Sequence, residues 1–109
     1  MKDPVKEIAV TPTYATAVNA VATATVAAGG SGVRHYITGV VAGYLATASG
    51  TLTLKRGTTT ISVIPVYNQH GILLKNVIQG NDNEAVSAEL AAGGAGIVGH
   101  VTLLTYSLG

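Results

Sequence analysis

Three histidines and a short run of acids are the residues of this chain best suited to hold a metal or move a proton. The histidines are His35, His70 and His100; the acids are Asp82, Glu84 and Glu89. Metal sites and general bases built on one element bring their donors close together, as in His-x-His or His-x-x-x-His. The histidines here are widely spaced and show neither pattern, so each reads first as an ordinary strand or turn residue. Paired carboxylates serve acid–base work or bind Ca²⁺, but Asn81-Asp82-Asn83-Glu84 lacks the alternating ligand spacing of a calcium loop and reads as a solvated turn. In a symmetric trimer, one histidine per chain would be able to converge on the axis and hold an ion. That remains a side possibility, and no cofactor or metal is expected.

Other motifs are weaker still. Gly94, Gly96 and Gly99 match G-x-G-x-x-G, but a dinucleotide site needs a strand before the motif, a helix after it and an acid about twenty residues on. Here the following stretch, His100 to Tyr106, is strand-like. No serine sits in a nucleophile elbow and no phosphate-cradling loop of the Walker type is present. Arg34, Lys55 and Arg56 are too few to track a phosphate backbone. Tyr36, Tyr44, Tyr67 and Tyr106 would suit a sugar site, yet in a chain without Phe or Trp they are needed first as large packing residues. No acid, base and nucleophile combine into a catalytic set, so the chain is expected not to be an enzyme.

The elements that position these residues are strands. Of 109 residues, 48% are hydrophobic and 10% charged, against roughly 25% charged in an average soluble domain. One domain is expected. A monomer of this size would expose about 5,600 Å², which the charges cover thinly, so much of the surface is expected to meet other protein. A net charge of +1 gives no case for nucleic acid or an anionic membrane. The absence of cysteine fits assembly in a reducing cytoplasm. Met1 to Glu7, charged and containing Pro4, does not read as a secretory leader, and no apolar run is long enough to span a membrane.

Along the chain, residues 1–12 form an N-terminal arm, either a short helical turn opened by Asp3-Pro4 or an extended segment, with Pro12 ending any helix. Residues 13–109 form the β domain. Its Thr13–Ala20 portion is open to helix or strand, and the alternation at Ala22–Val26 predicts a strand. Arg34–Ser49 is the clearest strand. Tyr36, Thr38, Val40, Ala42 and Tyr44 are expected on one face, and His35, Ile37, Val41 and Leu45 on the other, with Gly39 and Gly43 between them suggesting a bulge or a close backbone approach. Thr51–Lys55 and Thr59–Tyr67 make a hairpin with Leu52, Leu54, Ile61 and Val63 inward and Pro65 at an edge or bulge. A turn over Asn68–Gly71 precedes a strand at Ile72–Ile78. Glu84–Leu90 places Val86, Ala88 and Leu90 inward, and Ile97–Leu108 is a final, central strand. Seven or eight strands at intervals of about ten residues predict an antiparallel β-sandwich of jelly-roll type.

The stretches Arg34-His35-Tyr36-Ile37-Thr38-Gly39, Thr51-Leu52-Thr53-Leu54, Asn83 to Ala91 and Gly99-His100-Val101-Thr102-Leu103 resemble small capsid decoration, or cement, proteins of tailed bacteriophages. The resemblance covers roughly residues 30–108. It implies a structural virion protein with a jelly-roll-like domain, assembled in the host cytoplasm as a homo-oligomer, most simply a homotrimer. Such a protein sits on the outer capsid surface and binds the major capsid protein. The arm's charges, Lys2, Asp3, Lys6 and Glu7, are the candidates for contact with the shell. Two other readings stand beside it: a receptor- or glycan-binding β module of a phage fibre or spike, and a virion connector protein of the head–tail joint or tail tube.

Overall fold

A computed structural model describes residues 10–108, of which 69–76 by their backbone alone. Among the described residues there are eight strands and no helix: β1 (Thr11–Val18), β2 (Ala22–Val26), β3 (Arg34–Tyr44), β4 (Ser49–Arg56), β5 (Thr59–Tyr67), β6 (Gln69–Gln79), β7 (Val86–Leu90) and β8 (Val98–Leu108). Threonine and valine interleaved with alanine carry β1 and β2 into strands despite alanine's helical preference, because the alternation lets one face of each strand be buried. Pro12 lies in β1, paired with Leu104, so the first strand takes in Thr11 and Pro12 as well; residues 1–9, where a helical turn or extended arm is expected, lie outside the described residues.

Two four-stranded antiparallel sheets result, ordered β1-β8-β3-β6 and β2-β7-β4-β5. The pairings are nested: β4 with β5, β3 with β6, β2 with β7 and β1 with β8. A long hairpin folded over on itself in this way is the jelly roll, here built as a two-layer sandwich. The chain passes between sheets at every connection but β4–β5. Three of these corners carry an asparagine in left-handed conformation, Asn19 (φ 48°), Asn68 (φ 54°) and Asn83 (φ 52°). Asparagine is one of the few side chains that tolerate this region.

The core holds Ile37, Val40, Leu52, Leu54, Val66, Val86, Leu90, Val101 and Leu103, all nearly inaccessible. Strict alternation would not place them there, because two β-bulges intervene. In β3 the register against both neighbours shifts between Ile37 and Gly39. His35 and Ile37 face inward before the shift, and Val40, Ala42 and Tyr44 face inward after it. The expected faces of β3 are therefore each half right, and Leu45 lies beyond the strand and is exposed. In β5, Leu54 pairs with Ser62 and Lys55 with Thr60, which leaves Ile61 unpaired. Ile61 packs against the core from this bulge, Ile64 and Val66 follow it inward, and Val63 points out to solvent, contrary to expectation. One further boundary differs: Gln69, His70 and Gly71 pair with Gly43, Ala42 and Val41, so the β5–β6 turn is confined to Asn68.

Tyr44 is the one tyrosine of the core. Its hydroxyl donates to the Ala91 carbonyl at 2.7 Å. The ring lies close against two glycines: a Cβ on Gly93 would stand 2.7 Å from Tyr44 Cδ1, and one on Gly50 would collide with the Tyr44 hydroxyl. Gly50 and Gly93 are thus the space the ring occupies. Burial raises the Tyr44 pKa, since the phenolate would lose its water. The folded chain holds this proton more tightly than the unfolded one. The associated stability is whole below the ordinary tyrosine value of about 10 and is lost as pH rises through the raised folded value. Tyr44→Phe is expected to cost about 1–2 kcal/mol at neutral pH, from the carbonyl left without its donor, and to lose less stability than the wild type between neutral and strongly alkaline pH. Urea titrations at both pH values measure the two effects. Gly93→Ala is expected to cost about 1–3 kcal/mol by overpacking, read in the same assay.

Candidate functional site

The three histidines are not gathered. His35 is buried on the inner face of β3. Its Nε2 lies 2.7 Å from the Ala27 carbonyl, which only accepts, so this nitrogen carries a proton and donates. The other nitrogen, Nδ1, is hydrogen-bonded to the Ser107 hydroxyl at 2.6 Å. Both nitrogens are engaged, and no lone pair is left for a metal or a substrate proton. The ring ties the β2–β3 loop to the end of β8. His100 lies on the outer face of β8, opposite Thr16 on one side and Gly43 on the other. The side chain of His70 lies outside the described residues.

The acids also separate. Asp82 Oδ1 accepts from the Gly32 amide at 2.6 Å, joining the β6–β7 loop to the β2–β3 loop. Glu84 Oε1 accepts from Asn81 Nδ2 at 2.8 Å. Glu89 pairs with Lys55 at 3.2 Å on the outside of the second sheet. Arg34 and Arg56 donate to the carbonyls of Gly80 and Gln79. Among the described residues, no group of three or more His, Asp or Glu side chains stands together. The G-x-G-x-x-G run opens strand β8 rather than a helix, so it lacks the helix N-terminus that binds a pyrophosphate.

The tyrosines part in three directions. Tyr44 is in the core, Tyr67 is exposed on the second sheet, and Tyr36 and Tyr106 stack on the outer face of the first with centroids 4.9 Å apart and planes 7° apart. They do not line one sugar cleft. An open hollow of about 420 Å³ is lined by Tyr44, Leu45, Ala46, Thr47 and Asn68. Asn68 is committed there to structure: its amide and side-chain oxygen bind the Ala48 carbonyl and amide, and its carbonyl accepts from Tyr44 N.

What the fold does build is a contrast between two outer faces. On the sheet β2-β7-β4-β5, the outward residues of β2, β7 and β4 include Thr23, Thr25, Thr51, Thr53 and the Lys55–Glu89 pair, a polar surface suited to water, while β5 at its border exposes Val63 and Tyr67. On the sheet β1-β8-β3-β6, the outward residues include Tyr14, Val18, Val98, Leu104, Tyr36 and Val41, with threonines and His100 between them. Strands β1 and β8 carry no charged residue, and Arg34 and Lys75 are the only ones in the sequence of the whole sheet. Tyr14 is 64% exposed and Val18 59%. Lys55, Arg56 and Glu89 are the charged residues in the strands of the other sheet, so charge is scarce on both, and what sets β1 and β8 apart is that two uncharged strands lie side by side. Sequence reading does not reach this, because it needs the pairing of β1 with β8, and because Gly39 signals a bulge in β3 without fixing the residue at which its faces exchange.

Compared with protein-family models, with curated proteins and with solved structures, the chain finds no match in any of the three.

His35→Ala removes both ring hydrogen bonds and leaves the Ala27 carbonyl and Ser107 hydroxyl unpaired. The expected cost is roughly 2–3 kcal/mol, against about 1 kcal/mol for Ser107→Ala. Chemical denaturation of the two variants checks this order, and equal costs would contradict it.

Proposed function

We propose that this chain is a structural protein of a bacteriophage virion, a homo-oligomeric decoration module that sits on the outside of the head, contacts the major capsid protein and stiffens the shell. The observation that carries the reading is the uncharged outer surface of the adjoining strands β1 and β8, on which Tyr14 and Val18 are largely exposed. Contiguous apolar surface on one side of a small domain marks a place where protein is covered by protein. The described acids and the buried histidine are taken up in holding loops and strands together, which suits a rigid building block. The jelly roll is used by capsid and lectin domains alike, and fold alone does not choose between them. The dispersal of Tyr36, Tyr44 and Tyr67 weighs against the glycan-binding reading.

A decoration protein also needs a surface for the shell. The charged residues Lys2, Asp3, Lys6 and Glu7, which lie outside the described residues, are assigned to that contact.

Two measurements test the proposal. Mass spectrometry of purified particles of the phage that encodes the chain is expected to find it in stoichiometric proportion to the major capsid protein; its absence from particles overturns the reading. Deleting residues 2–9 is expected to leave the oligomer intact by light scattering while abolishing co-sedimentation with undecorated heads. Undiminished head binding by the truncated chain removes the arm from the mechanism.

A further inference from the structure

A β-sandwich has four edge strands, each a row of backbone donors and acceptors open to another chain, and proteins protect such edges by short length, bulges, prolines or charges. Three of the four edges here are protected. β5 has Pro65 and the bulge at Ile61. β6 breaks register against β3, its pairing jumping from Ile78 to Leu73 across a stretch that contains Lys75. β2 is only five residues long. The fourth edge, β1, has none of these past its second residue. It runs eight residues in unbroken register with β8, has no bulge and no charge, and its proline, Pro12, stands near its start, where a strand tolerates one.

We infer that β1 is a subunit interface, at which a second copy of this chain adds its own β1 antiparallel about a two-fold axis through Ala15, joining two four-stranded sheets into one of eight. Register follows from parity. Only pairings centred on a residue keep the outward side chains of both copies on the same side, and centring on Ala15 pairs the whole stretch Pro12–Val18. Tyr14 then faces the second copy's Thr16, Thr13 faces Ala17 and Pro12 faces Val18. An aromatic side chain opposite a β-branched one is a favourable cross-strand pair.

Charge selects a second copy as the occupant. A foreign strand is commonly steered and chosen by charges complementary to the receiving surface, and β1 offers none. A second β1 brings none either, so nothing is repelled and nothing charged is buried unpaired. The exposed Tyr14 and Val18 are covered in part, and the apolar outer faces of the two copies become continuous. This pairing rests on the reading of the chain as a self-assembling module. It yields two-fold contacts, whereas a three-fold ring needs heterologous ones.

The test is solution mass by light scattering on the full chain and on two double variants, with circular dichroism as the check on folding. All four changes fall on exposed side chains of β1. The wild type is expected at about twice the 10.9 kDa chain mass. Tyr14→Lys with Thr16→Lys places like charges opposite each other across the axis and is expected to halve the mass with an unchanged spectrum. Tyr14→Lys with Thr16→Glu places opposite charges there and is expected to keep the doubled mass. A wild-type dimer that survives the lysine pair overturns the β1 interface. A trimer or larger ring indifferent to both variants overturns it too but leaves the assembly reading standing. A wild-type monomer overturns both.

Discussion

The structure depends on closing a core without Phe or Trp. Two sheets about 10 Å apart must be filled from each inner face, and here Val, Ile, Leu and Ala do almost all of it. Small and branched side chains fill such a layer only if nearly every inward position is apolar and in register with its neighbours. The one large ring, Tyr44, is admitted where Gly50 and Gly93 leave room, at the end of the sandwich where the β3–β4 connection leaves one sheet for the other. Its hydroxyl then ties that end to Ala91, just past β7. The glycines of this chain are therefore partly a packing device, the complement of a single bulky residue.

The same constraint explains the bulges. A long strand that began with His35 and Ile37 inward and continued in strict alternation would bring Gly39, Val41 and Gly43 to the core and send Val40, Ala42 and Tyr44 to solvent. The shift past Ile37 exchanges the parity and recovers the better packers. In β5 the unpaired Ile61 does the same: it reaches the core itself, and Ile64 and Val66 follow on the inner side. Each bulge costs a pairing and gains a full inner face, and each adds local twist.

This is also where the sequence stopped being legible. The strands at Ala22–Val26, Val86–Leu90 and Val98–Leu108, the hairpin at Gly57-Thr58, the inward Leu52 and Leu54 and the two-layer all-β architecture follow from alternation and turn residues. Thr13–Ala20 was ambiguous because alanine's preference and the Thr/Val alternation oppose each other, and only the partner strand β8, paired with it through Val18, decides between them. Val63 and the faces of β3 were misplaced because a bulge shifts parity: Gly39 signals the one in β3 without fixing where the faces exchange, and Ile61 in β5 carries no such signal. The scarcity of charge was plain from composition, but that two uncharged strands lie side by side required knowing which strands share a sheet.

Charge placement and edge protection then point the same way. The seven charged residues at and beyond Arg34 lie on the second sheet, in loops, at the start of β3, or within β6. None falls on β1 or β8, the two strands that run side by side at one border of the first sheet. Charge on an edge strand serves solubility by discouraging pairing, and its cost in stability is small for an exposed side chain. A chain that carries such protection at three edges and omits it at the longest regular one keeps that edge available. The adjoining outward row, with Tyr14 and Val18 largely exposed, extends the same uncharged surface from the edge onto the face. Edge and face together form one continuous region on which contact with another protein is opposed by neither desolvated charge nor a broken strand.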